Sequence, residues 1–95
     1  MRVVAMTGIR GRAVANQVII EFSNEEEVFV SYGQPIAAKL LNGQVILDKY
    51  YWDYSKTTGK YRNKFLGETK KETNKKIESG EYELDDLSSE LFGSL

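Results

Sequence analysis

The run Tyr50-Tyr51-Trp52-Asp53-Tyr54-Ser55-Lys56-Thr57-Thr58-Gly59-Lys60-Tyr61-Arg62-Asn63-Lys64 concentrates rings, hydroxyls and cations in one short stretch. Aromatic faces stack on bases or partner side chains, and cations with hydroxyls hold phosphates. Lys56, Lys60, Arg62 and Lys64 are the expected phosphate contacts, with Thr57 and Thr58 as hydrogen-bond donors. A ring among Trp52, Tyr54 and Tyr61 would stack. The bland reading of the same rings is that they close the core of a small sheet and show only their polar tips. Both hold together if Trp52 is core and Tyr54 or Tyr61 is the exposed ring.

Catalytic readings of this stretch fail on their own chemistry. A phosphate-binding P-loop needs a glycine five residues before its final Gly-Lys and a hydroxyl just after it. Those positions here are Tyr54 and Tyr61. Asp48 and Asp53 flank the aromatics, and Ser55 lies beside Lys56, but a nucleophilic serine needs a buried, deprotonated lysine, and a lysine in so polar a run stays hydrated and charged. Ser55 is better read as a helix cap. With no cysteine and no histidine there is no thiolate, no imidazole base and no disulfide, and a metal would have carboxylates alone. No enzyme, cofactor or metal is therefore expected. Gly8-Ile9-Arg10-Gly11-Arg12 looks like one copy of an arginine-glycine nucleic-acid arm, though its plain reading is a flexible loop before Val14.

A chain of 95 residues, 41% hydrophobic, holds one core and one domain over 1–95. Met1 to Met6 is too short for a signal peptide, and no run approaches the roughly 18 apolar residues of a membrane span. A cytoplasmic protein with no membrane contact is the expectation. The formal net charge of -1 hides segregation: Lys49 to Lys76 is crowded with lysines, whereas Glu25, Glu26 and Glu27, then Glu81, Glu83, Asp85 and Asp86, form acidic clusters.

These side chains need elements to position them. Val3 to Thr7 reads as a first strand, and Gln17 to Phe22 with Glu27 to Tyr32 as a hairpin about Ser23-Asn24-Glu25-Glu26. Val18, Ile20 and Phe22 should share one face. Pro35 marks the break before Ile36 to Leu41, which pairs with Gln44 to Leu47 across Asn42-Gly43, the usual signature of a type I′ turn. After Trp52 the period changes. Asp53 or Ser55 can cap a helix through Tyr61, Phe65 and Leu66 ending at Gly67, with a strand-turn-strand about Thr58-Gly59 as its competitor. Thr69-Lys70-Lys71-Glu72 is a capping box that opens a solvated helix closed by Gly80. Tyr82, Leu84, Leu87, Leu91 and Phe92 should tie the tail back, leaving Gly93 to Leu95 frayed. The fold expected is α+β: an antiparallel sheet of about five strands over 1–52, then one or two helices over 53–95 with an acidic tail.

The arrangement Ser31-Tyr32-Gly33, Pro35-Ile36-Ala37, Asn42-Gly43 and Tyr51 to Leu66 resembles a family of small uncharacterised proteins of bacteriophages and plasmids. The likeness runs over about residues 17 to 87 and is most specific in the Tyr-Ser-x-Thr-Thr-x-Lys-Tyr core from Tyr54 to Tyr61, with Gly59 in the family's small position and Lys60 in its basic one. It implies provenance, an accessory protein of a mobile element acting in the cytoplasm of a bacterial host cell and not a metabolic enzyme, and no transferable activity.

Two functions are expected to compete. The first is nucleic-acid binding without catalysis, through Trp52, Tyr54, Lys56, Thr57, Thr58, Lys60, Tyr61, Arg62 and Lys64. The alternative is a protein-binding inhibitor of a host enzyme or defence system, an anti-CRISPR-like factor, whose acidic residues Glu25, Glu26, Glu27, Glu81, Glu83, Asp85 and Asp86 occupy a basic channel.

Overall fold

A computed structural model describes Met1 to Phe92, with side chains to Ser89. Five strands follow one another as a meander: β1 (Arg2–Thr7), β2 (Ala13–Glu21), β3 (Glu27–Ser31), β4 (Gln34–Lys39) and β5 (Val45–Asp48). Each is antiparallel to the one before. Helices α1 (Lys56–Leu66) and α2 (Lys70–Glu78) then cross over to β6 (Tyr82–Asp85), which lies parallel to β5 and completes a six-stranded sheet in sequence order. A short α3 (Leu87–Phe92) ends the described chain. The α+β expectation holds, with one strand and one helix more than expected. The added strand is β6, which the sequence reading took for part of a helical half. No described helix is long and apolar enough to cross a membrane.

The sheet has an apolar layer on each face. Phe29, Ala37 and Leu47 meet Tyr61 and Phe65 of α1, with Trp52 and Ile77 packed against the cluster. On the other face Val28, Val30 and Ala38 meet Leu87, joined by Val18, Ile20 and Phe22 as their alternation requires. Leu87 thus anchors the tail, whereas Leu84 is exposed and does not. The expectations for the Leu91 and Phe92 side chains and for Gly93 to Leu95 lie outside the described residues.

Turn chemistry departs from expectation at two places. The hairpin at Asn42-Gly43 is not a two-residue type I′ turn. Gly43 N donates to Leu40 O at 2.9 Å and Leu40 N to Gln44 O at 2.8 Å, and of Asn42 and Gly43 only Gly43 has positive φ (88°). That is a three-residue loop, a turn followed by one left-handed residue. The same pair of bonds closes Gly8 to Arg12 and Phe22 to Glu26, with Gly11 (φ 74°) and Glu25 (φ 74°) in the left-handed position. The segment expected to be a flexible loop at Gly8 to Arg12 is thus a defined turn. The two-residue turn with both φ positive falls instead at Tyr32 (53°) and Gly33 (77°). Pro35 sits inside β4 rather than before it, opposite Val30. It is tolerated because β5 pairs only with Ala37, Ala38 and Lys39, so the missing amide leaves no gap in that ladder.

The meander sorts the loops onto two ends. The β1–β2 turn, the Tyr32-Gly33 turn, the start of α1 and the Lys49 to Tyr54 segment share one end. The Ser23 to Glu25 and Leu41 to Gly43 loops share the other, and β6 starts there because Tyr82 pairs with Val45.

Candidate functional site

Helix α1 places the cations. Ser55 caps it in extended geometry, its Oγ accepting from Thr58 N at 3.1 Å. Thr58 Oγ1 and Ser31 Oγ share a 2.9 Å hydrogen bond, which fixes the first turn of α1 against the end of β3. Gly67, at φ 71°, closes the helix. The helical reading of this stretch is correct and its hairpin competitor is not. The 3.6-residue period then divides the run in two. Thr58, Tyr61, Arg62 and Phe65 turn inward and are buried, while Lys56, Gly59, Lys60 and Asn63 line an open groove of about 590 Å³ whose other side is Asp53 and Lys70.

Three expected contacts are therefore withdrawn from the surface. Thr58 spends its hydroxyl on Ser31 and Ser55, and Tyr61 is core. Arg62 is 1% exposed. Its guanidinium donates to Trp52 O at 2.7 Å, Asp53 Oδ1 at 3.2 Å and Asn63 Oδ1 at 2.9 Å, and lies 5.0 Å from the centre of the Trp52 ring. A Cβ on Gly59 would stand 3.6 Å from Nη2, so the small residue lets the helix backbone lie close over the guanidinium. Burial raises the Asp53 carboxyl, but the hydrogen bonds and charges of Lys70 and Arg62 outweigh it and hold the group below its ordinary range. Lys56, Thr57 and Lys60 are exposed as expected. Lys64 is exposed but donates to Thr7 O on β1, away from the groove.

The rings are placed by a residue that the sequence reading treated only as a possible acid. Asp48 is fully buried at the end of β5. Its Oδ2 accepts from Tyr50 N at 3.1 Å and Tyr51 N at 2.8 Å, and its Oδ1 from Leu87 N at 2.9 Å. The segment after β5 is wound on this carboxylate, with its rings turned out. Tyr54 is 64% exposed, Tyr50 and Tyr51 are exposed beside it, and Trp52 is half-buried against the core. Tyr51 meets Tyr54 edge-on at 5.7 Å, and Tyr50 meets Tyr51 at 6.4 Å. Tyr32 joins Tyr51 and Tyr54 around a pocket of about 190 Å³ floored by Ile36. Tyr32 was missed as a surface ring because it ends a hydrophobic run. The adjacent Gly33 was the available signal that the chain turns there and throws the ring outward.

Residues 1–81 match DUF8033, a family of unknown function. The chain belongs to that family. The DUF8033 match takes in the first sixteen residues, which the resemblance above left out, and covers the tyrosine cluster and the groove but stops before β6. Neither the curated proteins nor the solved structures contain a match to the chain.

The acidic residues do not make one surface. Glu25, Glu26 and Glu27 lie at the loop end opposite the tyrosines, where Glu26 Oε2 accepts from Leu41 N at 3.0 Å. Glu81 and Glu83 are exposed along the start of β6. Asp85, paired with Asp48, and Asp86, which caps α3 by accepting from Ser89 N at 3.1 Å, belong to the tyrosine end. Among the described residues no three carboxylates converge as a metal site. Glu68 serves structure: it accepts from Tyr82 Oη at 2.7 Å, Lys76 Nζ at 2.8 Å and Thr73 Oγ1 at 2.5 Å, which ties the turn before α2 to β6.

Proposed function

We propose that this chain binds single-stranded nucleic acid without acting on it chemically. The observation that carries the reading is continuity: Tyr54, in the exposed ring cluster, is separated only by Ser55 from Lys56, which opens the cation-lined groove. Three exposed lysines there, Lys56, Lys60 and Lys70, stand against one carboxylate, Asp53, which Lys70 and the buried Arg62 already pair, so the groove keeps an excess of positive charge that favours phosphate, while the neighbouring rings offer faces to successive bases. The resemblance to phage and plasmid proteins supports an accessory role in a bacterial cytoplasm. Contact with phosphate falls to Lys56, Lys60 and Lys70, with Thr57 at the exposed helix start. Stacking falls to Tyr54 and its neighbours.

Fluorescence anisotropy with a labelled single strand tests this across a salt series. Lys56→Ala with Lys60→Ala should flatten the log affinity against log salt slope by about 1.4, at roughly 0.7 per phosphate. Tyr54→Ala should cost about 1–3 kcal/mol. Glu83→Ala, remote and exposed, should change neither. Absence of binding at low salt would refute the reading. Capture of a host protein by the same tyrosines after nuclease treatment would put the inhibitor in its place.

A further inference from the structure

The nucleic-acid reading leaves out the β1–β2 turn, where Ile9 is 98% exposed. The turn is held, not loose: Gly8 N donates to Arg12 O at 2.9 Å and Gly11 N to Gly8 O at 3.0 Å, with Gly11 at φ 74°. β2 pairs with β3 only from Gln17 onward, and Ala13 lies opposite Thr7 beyond an irregularity that holds Asn16 at φ 66°, so the turn stands off the β3 ladder on the same end of the sheet as the Tyr32-Gly33 turn. Exposed Arg10 and Arg12 follow the apolar tip residue in the same turn, and among the described residues neither guanidinium has a hydrogen-bond or ion-pair partner. Arg2 and Arg62 by contrast are both paired, with Glu21 and Asp53. Leu41 holds the position of Ile9 in the matching loop at the opposite end, where the Glu26 carboxylate binds its amide. That tip is unsuited to phosphate, whereas the Ile9 tip combines an aliphatic wedge with two free cations.

We infer that Ile9 is a wedge for the end of a duplex, and that the preferred ligand is a junction between double- and single-stranded DNA. The inference rests on the single-strand reading above and adds the class of ligand. Apolar side chains at protein tips insert at base steps and unstack them, while flanking arginines hold the adjoining phosphates. A free wedge on the same end of the sheet as a stacking platform suits the place where pairing stops. The unpaired strand lies over Tyr32, Tyr51 and Tyr54, its phosphates reach Lys56 and Lys60, and the last base pair abuts Ile9, its own phosphates held by Arg10 and Arg12.

Three labelled DNA probes test this with the full chain: a single strand, a blunt duplex, and the same duplex with a single-stranded tail. The tailed duplex should bind about tenfold more tightly than either other probe, the worth of one well-placed contact. A 2-aminopurine at its last paired position should brighten on binding as it unstacks. Ile9→Ser, at a site with no packing to lose, should abolish the brightening and bring the tailed duplex to the affinity of the single strand. Arg10→Ala with Arg12→Ala should lower affinity for the tailed duplex and flatten its salt slope by about 1.8, at roughly 0.9 per duplex phosphate, while sparing the single strand. If the single strand binds but the tail confers no preference, or if Ile9→Ser keeps that preference, the wedge is wrong and the single-strand reading stands. If no probe binds, both fall.

Discussion

Replacing Arg62 separates a structural arginine from a phosphate ligand. Arg62→Ala removes three hydrogen bonds from a charged donor, to Trp52 O, Asp53 Oδ1 and Asn63 Oδ1. Bonds to charged groups contribute about 1.5–3 kcal/mol each, and the contact with the Trp52 ring about 0.5–2 kcal/mol. Recovery offsets part of this loss. Asp53 keeps Lys70 at 2.6 Å, and its carboxylate, 35% exposed, regains water. The net cost should fall near 3–5 kcal/mol, the range for breaking a buried charged network. Against a total of about 5–15 kcal/mol for a small domain, that is a large fraction. Urea unfolding followed by Trp52 fluorescence reads it directly, since the indole lies under the guanidinium, and with a slope of about 1–3 kcal/mol per molar the midpoint should drop by roughly 2 M. Arg62→Met, which fills the same space without the charge, should cost less and leave the salt slope for oligonucleotide binding unchanged. A loss under about 1 kcal/mol for Arg62→Ala, together with a flatter salt slope, would refute the structural role and return Arg62 to the phosphate contacts.

Two of the left-handed loop positions, Gly43 and Glu25, should respond oppositely to substitution. Gly43→Val has open space for its side chain but takes on a strained φ of 88°, and should lower stability by about 1 kcal/mol or more, whereas Glu25→Gly at φ 74° should raise it by a few tenths to about 1 kcal/mol, both measured as urea midpoints. The Glu68 network sets a pH dependence at each end. Burial raises the Glu68 carboxyl, but Lys76, Thr73 and Tyr82 outweigh it and hold the group below its ordinary 4.5, so its contribution is complete above that value and is lost as pH falls below it through the depressed folded value. Tyr82, pushed up to about 12 by burial and by its bond to Glu68, contributes stability that is complete below 10 and is lost as pH rises from there to about 12. Glu68→Gln should flatten the acid limb of a stability-against-pH curve. An unchanged limb would show that other carboxylates carry it.

Local chemistry determined the larger part of this architecture. Alternation of Val18, Ile20 and Phe22 and the Thr69-Glu72 capping box each close within a few residues, so the sequence alone is enough to read them, whereas between Ser55 and Gly67 the local signals left a helix and a hairpin in competition. The sequence also pointed to the candidate site, because cations and rings cluster in the run itself. What it could not decide depends on partners distant in the chain. Tyr82 to Asp85 became a strand only because β5 offered a free edge after two helices had crossed the sheet, and four residues, two of them acids, are too short a run to mark a strand by themselves. Arg62 and Lys60 read alike as cations. Which one meets solvent is set by the phase of α1 against the sheet, pinned by Thr58 on Ser31. Likewise the outward rings of Tyr32 and Tyr54 come together only because the meander brings the β3–β4 turn and the end of β5 to one end, where Asp48 winds the segment between them. Local bonding energies are written in neighbouring residues, whereas the faces that meet solvent are chosen when distant elements bury their apolar sides against each other.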